Sequence, residues 1–187
     1  RLFSDHRFNL LMVGTLERRK GYDTALVAFD ILVRDRTDIA LHIVGKPGLN
    51  ADDAITRIQT HPLLGKSLFW HVGAGDDLLA EAYARSQLLI AASRAEGFGL
   101  PLVEAAQVGL PVVASNLPVF TEIAGDHVYY FPVDDGEALA TVIRTALADI
   151  AAGTARRSSA IPVLTWRQSG DMLVDAVAAR LPTPAKP

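Results

Sequence analysis

Residues 87 to 106 read Gln87-Leu88-Leu89-Ile90-Ala91-Ala92-Ser93-Arg94-Ala95-Glu96-Gly97-Phe98-Gly99-Leu100-Pro101-Leu102-Val103-Glu104-Ala105-Ala106. An apolar run from Gln87 to Ala92 gives way to a glycine-bearing polar loop. Pro101 then opens a helical pattern, because its missing N–H costs nothing at a first helical position. This strand, loop and helix form one βα unit, and the same order repeats on either side of it. Apolar runs rich in β-branched residues occur at Phe8 to Val13, Ile39 to Val44, Leu68 to Val72, Leu110 to Ala114 and Val128 to Phe131. Between the first two, Tyr22, Leu26, Phe29 and Val33 are spaced by three and four, which puts them on one helical face. Further helices are expected near Asp53 to Gln59, Leu78 to Arg85, Pro101 to Val108 and Glu137 to Ala148. Strands alternating with short helical crossovers predict an α/β domain, a doubly wound Rossmann-like parallel sheet of about six strands.

The composition bounds what such a domain can do. The chain has 187 residues, 50% hydrophobic and 21% charged, enough for one sizeable core and too apolar for general disorder. A formal net charge of −3 leaves no global basic field for a nucleic-acid backbone, although a local anion site stays open. The absence of cysteine removes disulfides, thiolate zinc sites and thiol nucleophiles, and suits a reducing compartment. No apolar run approaches the roughly 20 residues of a membrane span, and Arg1 to His6 carries no signal-peptide pattern. Starting without Met and entering a strand at Phe8, the chain reads as a domain cut from a longer protein. One domain is expected over residues 1–181, with 154–181 a connecting segment and a helix from Trp166 to Leu181. The proline-bearing tail 182–187 is expected to be disordered. The helix, with Met172, Leu173, Val174 and Val177 apolar, reads equally as a core helix or as one turned towards another domain.

Gly14, Gly45, Gly73, Ser93 and Ser115 close successive strands at the carboxyl edge of the sheet, where open α/β sheets bind ligands. Glycine there has a simple alternative reading, the needs of a tight turn. After Gly14 comes Thr15-Leu16-Glu17-Arg18-Arg19-Lys20-Gly21, three consecutive cations just before the amino end of a helix. Positive charge at that end costs about 0.3–1 kcal/mol per group unless an anion neutralises it. The stretch reads as a phosphate-binding loop or as an ordinary solvated one, and neither standard phosphate-loop pattern fits it. In the quoted stretch, the free N–H groups around Gly99, Leu100 and the first helical turn would cradle anionic oxygen. From Leu100 to Ala114 the ionisable or amide side chains are Glu104 and Gln107, so Glu104 lies on an otherwise apolar helix. It is either a helix cap or a bidentate acceptor for two vicinal hydroxyls such as those of a ribose. Glu96, just ahead of it, would face a second polyol.

Glu96-x7-Glu104, within Glu-Gly-Phe-Gly-Leu-Pro-Leu-Val-Glu and followed by Gly109-Leu110-Pro111-Val112-Val113-Ala114-Ser115-Asn116, closely resembles the donor-binding domain of retaining glycosyltransferase family 4, whose members have the GT-B fold. The resemblance runs from Gly14 to Asp135 and includes Lys20-Gly21, Gly73 and the turn Thr121-Glu122-Ile123-Ala124-Gly125-Asp126. It implies one half of a GT-B fold, with the N-terminal acceptor-binding domain absent from this chain. It further implies that Lys20 and Arg19 bind the diphosphate of a nucleotide sugar, that Glu96 binds the transferred sugar, and that Glu104 holds the ribose. Phe98, Gly99 and Leu100 would supply backbone N–H groups, and Val72-Gly73-Ala74-Gly75 would lie against the base. Gly14 and Thr15 would border the same site. Many members carry Arg where this chain has Thr15, so Arg18 or Arg19 is expected to make the second phosphate contact.

No Asp-x-Asp occurs and the five His residues show no ligand spacing, so no metal cofactor is expected. Cations and helix dipoles would stabilise the leaving diphosphate. The implied partners are a nucleotide sugar, an acceptor-binding domain of the same protein and a glycan or lipid-linked acceptor, with no nucleic acid. The implied location is cytoplasmic, at the inner face of the membrane for the intact protein. The form Thr15-Leu16-Glu17-Arg18-Arg19-Lys20 favours GDP-mannose as donor, a UDP-sugar being the alternative and a non-catalytic scaffolding domain the other class of function. This chain alone is expected to bind donor with little or no turnover.

Overall fold

The computed structural model of the chain describes residues 7–180. Six strands, β1 (Phe8–Val13), β2 (Ile39–Val44), β3 (Leu68–His71), β4 (Leu88–Ala91), β5 (Val112–Ser115) and β6 (Tyr129–Phe131), form one sheet in the order β3-β2-β1-β4-β5-β6. Every pairing is parallel. The order reverses between β1 and β4, where Leu10 pairs with Leu88 and Leu11 with Leu89. The loops that leave these two strands turn to opposite faces and open a crevice at the carboxyl edge.

Helices cover both faces: α1 (Tyr22–Asp35), α2 (Asp52–Gln59), α3 (Asp76–Arg85), α4 (Leu100–Val108), α5 (Pro118–Ala124) and α6 (Gly136–Ala152), with α7 (Trp166–Ala178) following. Side chains alternate along each strand, so β1 feeds two cores. Leu10 and Met12 pack with Leu26, Phe29 and Leu32 of α1 and Leu139, Ile143 and Leu147 of α6. Leu11 packs on the other face with Tyr83, Leu102 and Phe120 from α3, α4 and α5. Tyr22, Leu26 and Phe29 are buried as their spacing predicts, while Leu32 is fully buried and Val33 lies at the margin of the core. A polar row also crosses the sheet. Asn9 Oδ1 lies 3.0 Å from His42 Nε2, and His42 Nδ1 lies 3.1 Å from His71 Nε2, so the buried imidazole has a partner at each nitrogen.

Several boundaries differ from the sequence reading. Leu110 is not yet strand: Gly109 takes φ 71° and the Leu110 N–H bonds back to Ala105 O, closing α4. β3 stops at His71, β4 at Leu88–Ala91, and β6 begins at Tyr129. The short α5 was not anticipated, and α6 runs on to Ala152, where Gly153 at φ 74° ends it. A capping box of Thr165 and Gln168 starts α7. Its Met172, Leu173, Val174 and Val177 stand 51–66% exposed, which overturns the reading as an ordinary core helix. Arg1 to His6, Leu181 and the tail 182–187 lie outside the described residues.

Candidate functional site

The crevice is built from two loops pressed together. After β1, Gly14 leads into a loop whose residues Arg18–Lys20 make a single 3-10 turn. The buried Tyr22 anchors that loop by donating its hydroxyl to Gly14 O at 2.6 Å. Gly21 ends the turn at φ 66°, and a Cβ there would fall 1.9 Å from Ala92 O, so only glycine lets the loop lie against the end of β4. From β4 the chain enters Ser93 to Gly99, and its Arg94 N–H donates to Arg19 O at 2.7 Å.

These contacts bring Glu96 onto the cations. Lys20 Nζ donates to Glu96 Oε1, Ser93 Oγ donates to the same oxygen at 2.9 Å, and Arg19 Nη1 donates to Oε2 at 3.2 Å. Arg19 Nε also reaches Glu17 Oε2 at 2.6 Å. Burial alone would raise the Glu96 carboxyl, but the hydrogen bonds from Lys20 and Ser93 and the charges of Lys20 and Arg19 outweigh it and hold the group below the ordinary carboxylate range. Positive charge at this helix end was expected to cost stability unless an anion neutralises it, and within the free chain carboxylates do so. Glu96 and Glu17 neutralise Lys20 and Arg19 internally, while Arg18 points elsewhere, onto a hollow of about 500 Å³ lined by Glu17, Arg19, Leu49, Asn50 and Arg94.

The amino end of α4 faces the same edge. Gly99 is its N-cap at φ 90°, no side chain caps it, and Phe98 and Leu100 are exposed. The Leu100 N–H, at the first helical position, has no partner within the helix, Pro101 has no N–H, and the Leu102 N–H is held by Gly99 O at 3.0 Å. Glu104 is therefore not a cap. It lies one turn along α4, half-buried, and accepts a 2.5 Å hydrogen bond at Oε2 from Tyr83 of α3. Burial, with the bond to Glu104, pushes the Tyr83 phenol far above its ordinary range. Tyr83 thus fixes one carboxylate oxygen and leaves Oε1 for another donor.

Beyond Gly14 lies a pocket of about 250 Å³ lined by Val13, Gly14, Thr15, Val44, Gly45, Lys46, Gly73, Ala74 and Leu79. Val72 is exposed and Gly75 is the N-cap of α3. The structure thus joins Arg19, Lys20 and Glu96 in one cluster and gathers Gly14, Thr15 and Gly73 around a neighbouring pocket. Sequence reasoning did not single out Lys46, Tyr83 or Arg94, which lie beside these residues, and it placed Ser93 at the ligand edge without foreseeing its bond to Glu96. Ser93 and Arg94 stood inside the quoted motif, whereas the Tyr83–Glu104 contact joins two helices and leaves no sequence signal. Among the described residues no group of three or more His, Asp or Glu side chains is placed to hold a metal ion.

The doubly wound sheet matches one half of a GT-B glycosyltransferase fold. The chain aligns with a sucrose-phosphate synthase of Thermosynechococcus elongatus at TM-score 0.74 and 25% identity, over 94% of this chain and 46% of that one. It belongs to the glycosyl transferases group 1 family, whose profile matches residues 2–159. It is 46% identical over 166 residues to the serotype-specific mannosyltransferase WbdA of Escherichia coli, covering 89% of this chain and 20% of that protein. It is 34% identical over 149 residues to a phosphatidyl-myo-inositol mannosyltransferase of Mycolicibacterium smegmatis, covering 76% of this chain and 37% of that protein. The chain therefore spans between a fifth and two fifths of the length of these two curated relatives.

Proposed function

We propose that the chain is the donor-binding domain of a retaining family 4 glycosyltransferase that takes GDP-mannose and passes mannose to a glycan, glycolipid or polysaccharide acceptor. The observation that carries this reading is the Arg19, Lys20 and Glu96 cluster beside the uncapped amino end of α4. In this reading the diphosphate displaces Glu96 from Lys20, and the freed carboxylate turns to hydroxyls of the sugar. Arg19, already lying on Glu96, makes the second phosphate contact in preference to Arg18. Gly99 and Leu100 donate N–H groups to the phosphate, Glu104 holds the ribose through Oε1, and the base enters the pocket between Gly14 and Gly73. Negative charge that builds on the leaving diphosphate is met by Lys20, Arg19 and the α4 dipole without a metal ion. The likeness to two mannosyltransferases supports mannose as the sugar.

The acceptor side belongs to a domain outside this chain, and the exposed apolar residues of α7 suit a helix that packs against it. The intact enzyme would act in the cytoplasm. Calorimetric titration of the folded chain with GDP, UDP, ADP and GDP-mannose tests the reading. GDP and GDP-mannose are expected to bind most tightly. Preference for UDP would change the donor base, and no binding of any nucleotide would leave a scaffolding domain.

A further inference from the structure

We infer that Arg94 is a positioning residue that sets the spacing of Lys20 and Glu96, an inference that rests on the donor-site reading above. Arg94 lies two residues before Glu96 and ties its loop to three other segments. Its Nη1 donates to Arg18 O at 2.5 Å, Nη2 to Asp23 Oδ2 at 2.6 Å, and Nε pairs with Asp134 Oδ1 at 2.5 Å. Its own backbone N–H holds Arg19 O. Two consecutive carbonyls of the 3-10 turn are thus fixed by one residue, immediately before Lys20. The first turn of α1 and the loop ahead of α6 hold the guanidinium from the far side.

The arrangement is not explained by stability alone. The Arg94 side chain is 24% exposed and its two carboxylate partners about half exposed, a setting in which ion pairs contribute little. Asp134 moreover takes φ 64°, a left-handed conformation unfavourable to a residue with a side chain, and Thr24 Oγ1 supports it from 3.4 Å. What these contacts supply is direction. A planar guanidinium can serve three acceptors in fixed geometry, whereas an ammonium at the same place cannot reproduce the fork. Asp23 and Asp134 together outweigh the single charge of Arg94, so it does not compete with Lys20 for an anion. Reacting groups displaced by about 1 Å can lose on the order of a hundredfold in rate, so a brace on both loops is a functional element.

The test compares the wild-type chain with Arg94→Lys, Lys20→Ala and the double variant, titrating each with GDP and with guanosine and following thermal unfolding. Arg94→Lys is expected to keep the fold and lower GDP affinity by about fivefold or more while sparing guanosine, and this loss should vanish in the Lys20→Ala background. Equal losses for GDP and guanosine, an equal loss with and without Lys20, unchanged GDP affinity, or failure of Arg94→Lys to fold would each overturn the inference. A wild-type chain that binds no nucleoside diphosphate would overturn the donor-site reading itself, and this inference with it. Binding that depends on Lys20 and not on Arg94 would overturn the inference alone.

Discussion

Lys20 and Glu96, 76 residues apart in sequence, form an ion pair across the switch point between β1 and β4, with side chains only 13% and 9% exposed. Lys20 approaches from the loop after β1 and Glu96 from the loop after β4, so the pair closes the crevice that the topology opens. In the proposed function each has a ligand group to bind, and each blocks the other until that ligand arrives.

Glu96→Gln should therefore separate two effects. The amide still accepts a hydrogen bond from Lys20 but no longer neutralises it, so GDP affinity should rise by about 1 kcal/mol as the ammonium turns to phosphate. Stability without ligand should fall by about 1–3 kcal/mol, because a largely buried cation loses its counter-charge. Calorimetry with GDP and chemical denaturation of the free chain measure the two. A fall in GDP affinity would mean that Lys20 does not face the diphosphate.

The same carboxylate makes stability depend on acid. The folded Glu96 carboxyl titrates below its ordinary value of 4.5, so its contribution is fully present above that value and is lost as pH falls through the lower folded one. Denaturation midpoints of wild type and Glu96→Gln should therefore converge as pH is lowered from neutrality into that window. Parallel curves would show that Glu96 gains nothing from its partners.

On α4, Glu104→Ala should weaken nucleotide binding by about 1–3 kcal/mol with the fold retained, the loss expected for charge-assisted hydrogen bonds. Tyr83→Phe removes the 2.5 Å bond to Oε2 and leaves Oε1 in place, so it should cost stability by about 1 kcal/mol and affinity less than Glu104→Ala does. Titration and thermal melting of both variants decide this. A large stability loss in Glu104→Ala with unchanged affinity would make the carboxylate structural.

Local patterns made the strands and most helices readable, because the central apolar runs are buried on both faces and the apolar faces of α1, α4 and α6 meet the sheet. Glu104 was readable from the same local pattern: a carboxylate on an apolar helix is unusual enough to stand out, and Glu96 was read with it from the glycine-bearing loop just ahead. Strand limits at Leu110 and Val72 were misread, since helix closure at Gly109 depends on a hydrogen bond that composition does not announce. The fate of the cations was hidden for a different reason. Whether Arg18, Arg19 and Lys20 face solvent or Glu96 depends on loops more than 70 residues apart, which meet only once the sheet has formed. α7 shows the converse case: its apolar residues are plain in the sequence, yet they stand exposed in this chain.

Gly21 and Gly65 provide the last test, because both have positive φ, 66° and 77°, and differ in their surroundings. A Cβ at Gly65 meets nothing within 4 Å, so Gly65→Ala should cost only the left-handed conformation, about 1–2 kcal/mol. A Cβ at Gly21 would lie 1.9 Å from Ala92 O and 2.8 Å from its carbonyl carbon. That carbonyl directly follows β4, which is held by β1 on one side and β5 on the other, so it is the β1 loop that must move. Gly21→Ala should then cost about 1–3 kcal/mol more than Gly65→Ala, the range for forcing an extra methyl into a packed site. Since Lys20 is the adjacent residue, it should also reduce GDP affinity, which Gly65→Ala should leave unchanged. Denaturation and calorimetry on the two variants measure both differences. Equal stability losses with equal affinities would mean that the two loops are not pressed together at this point and that the switch-point crevice is wider than the structure has it.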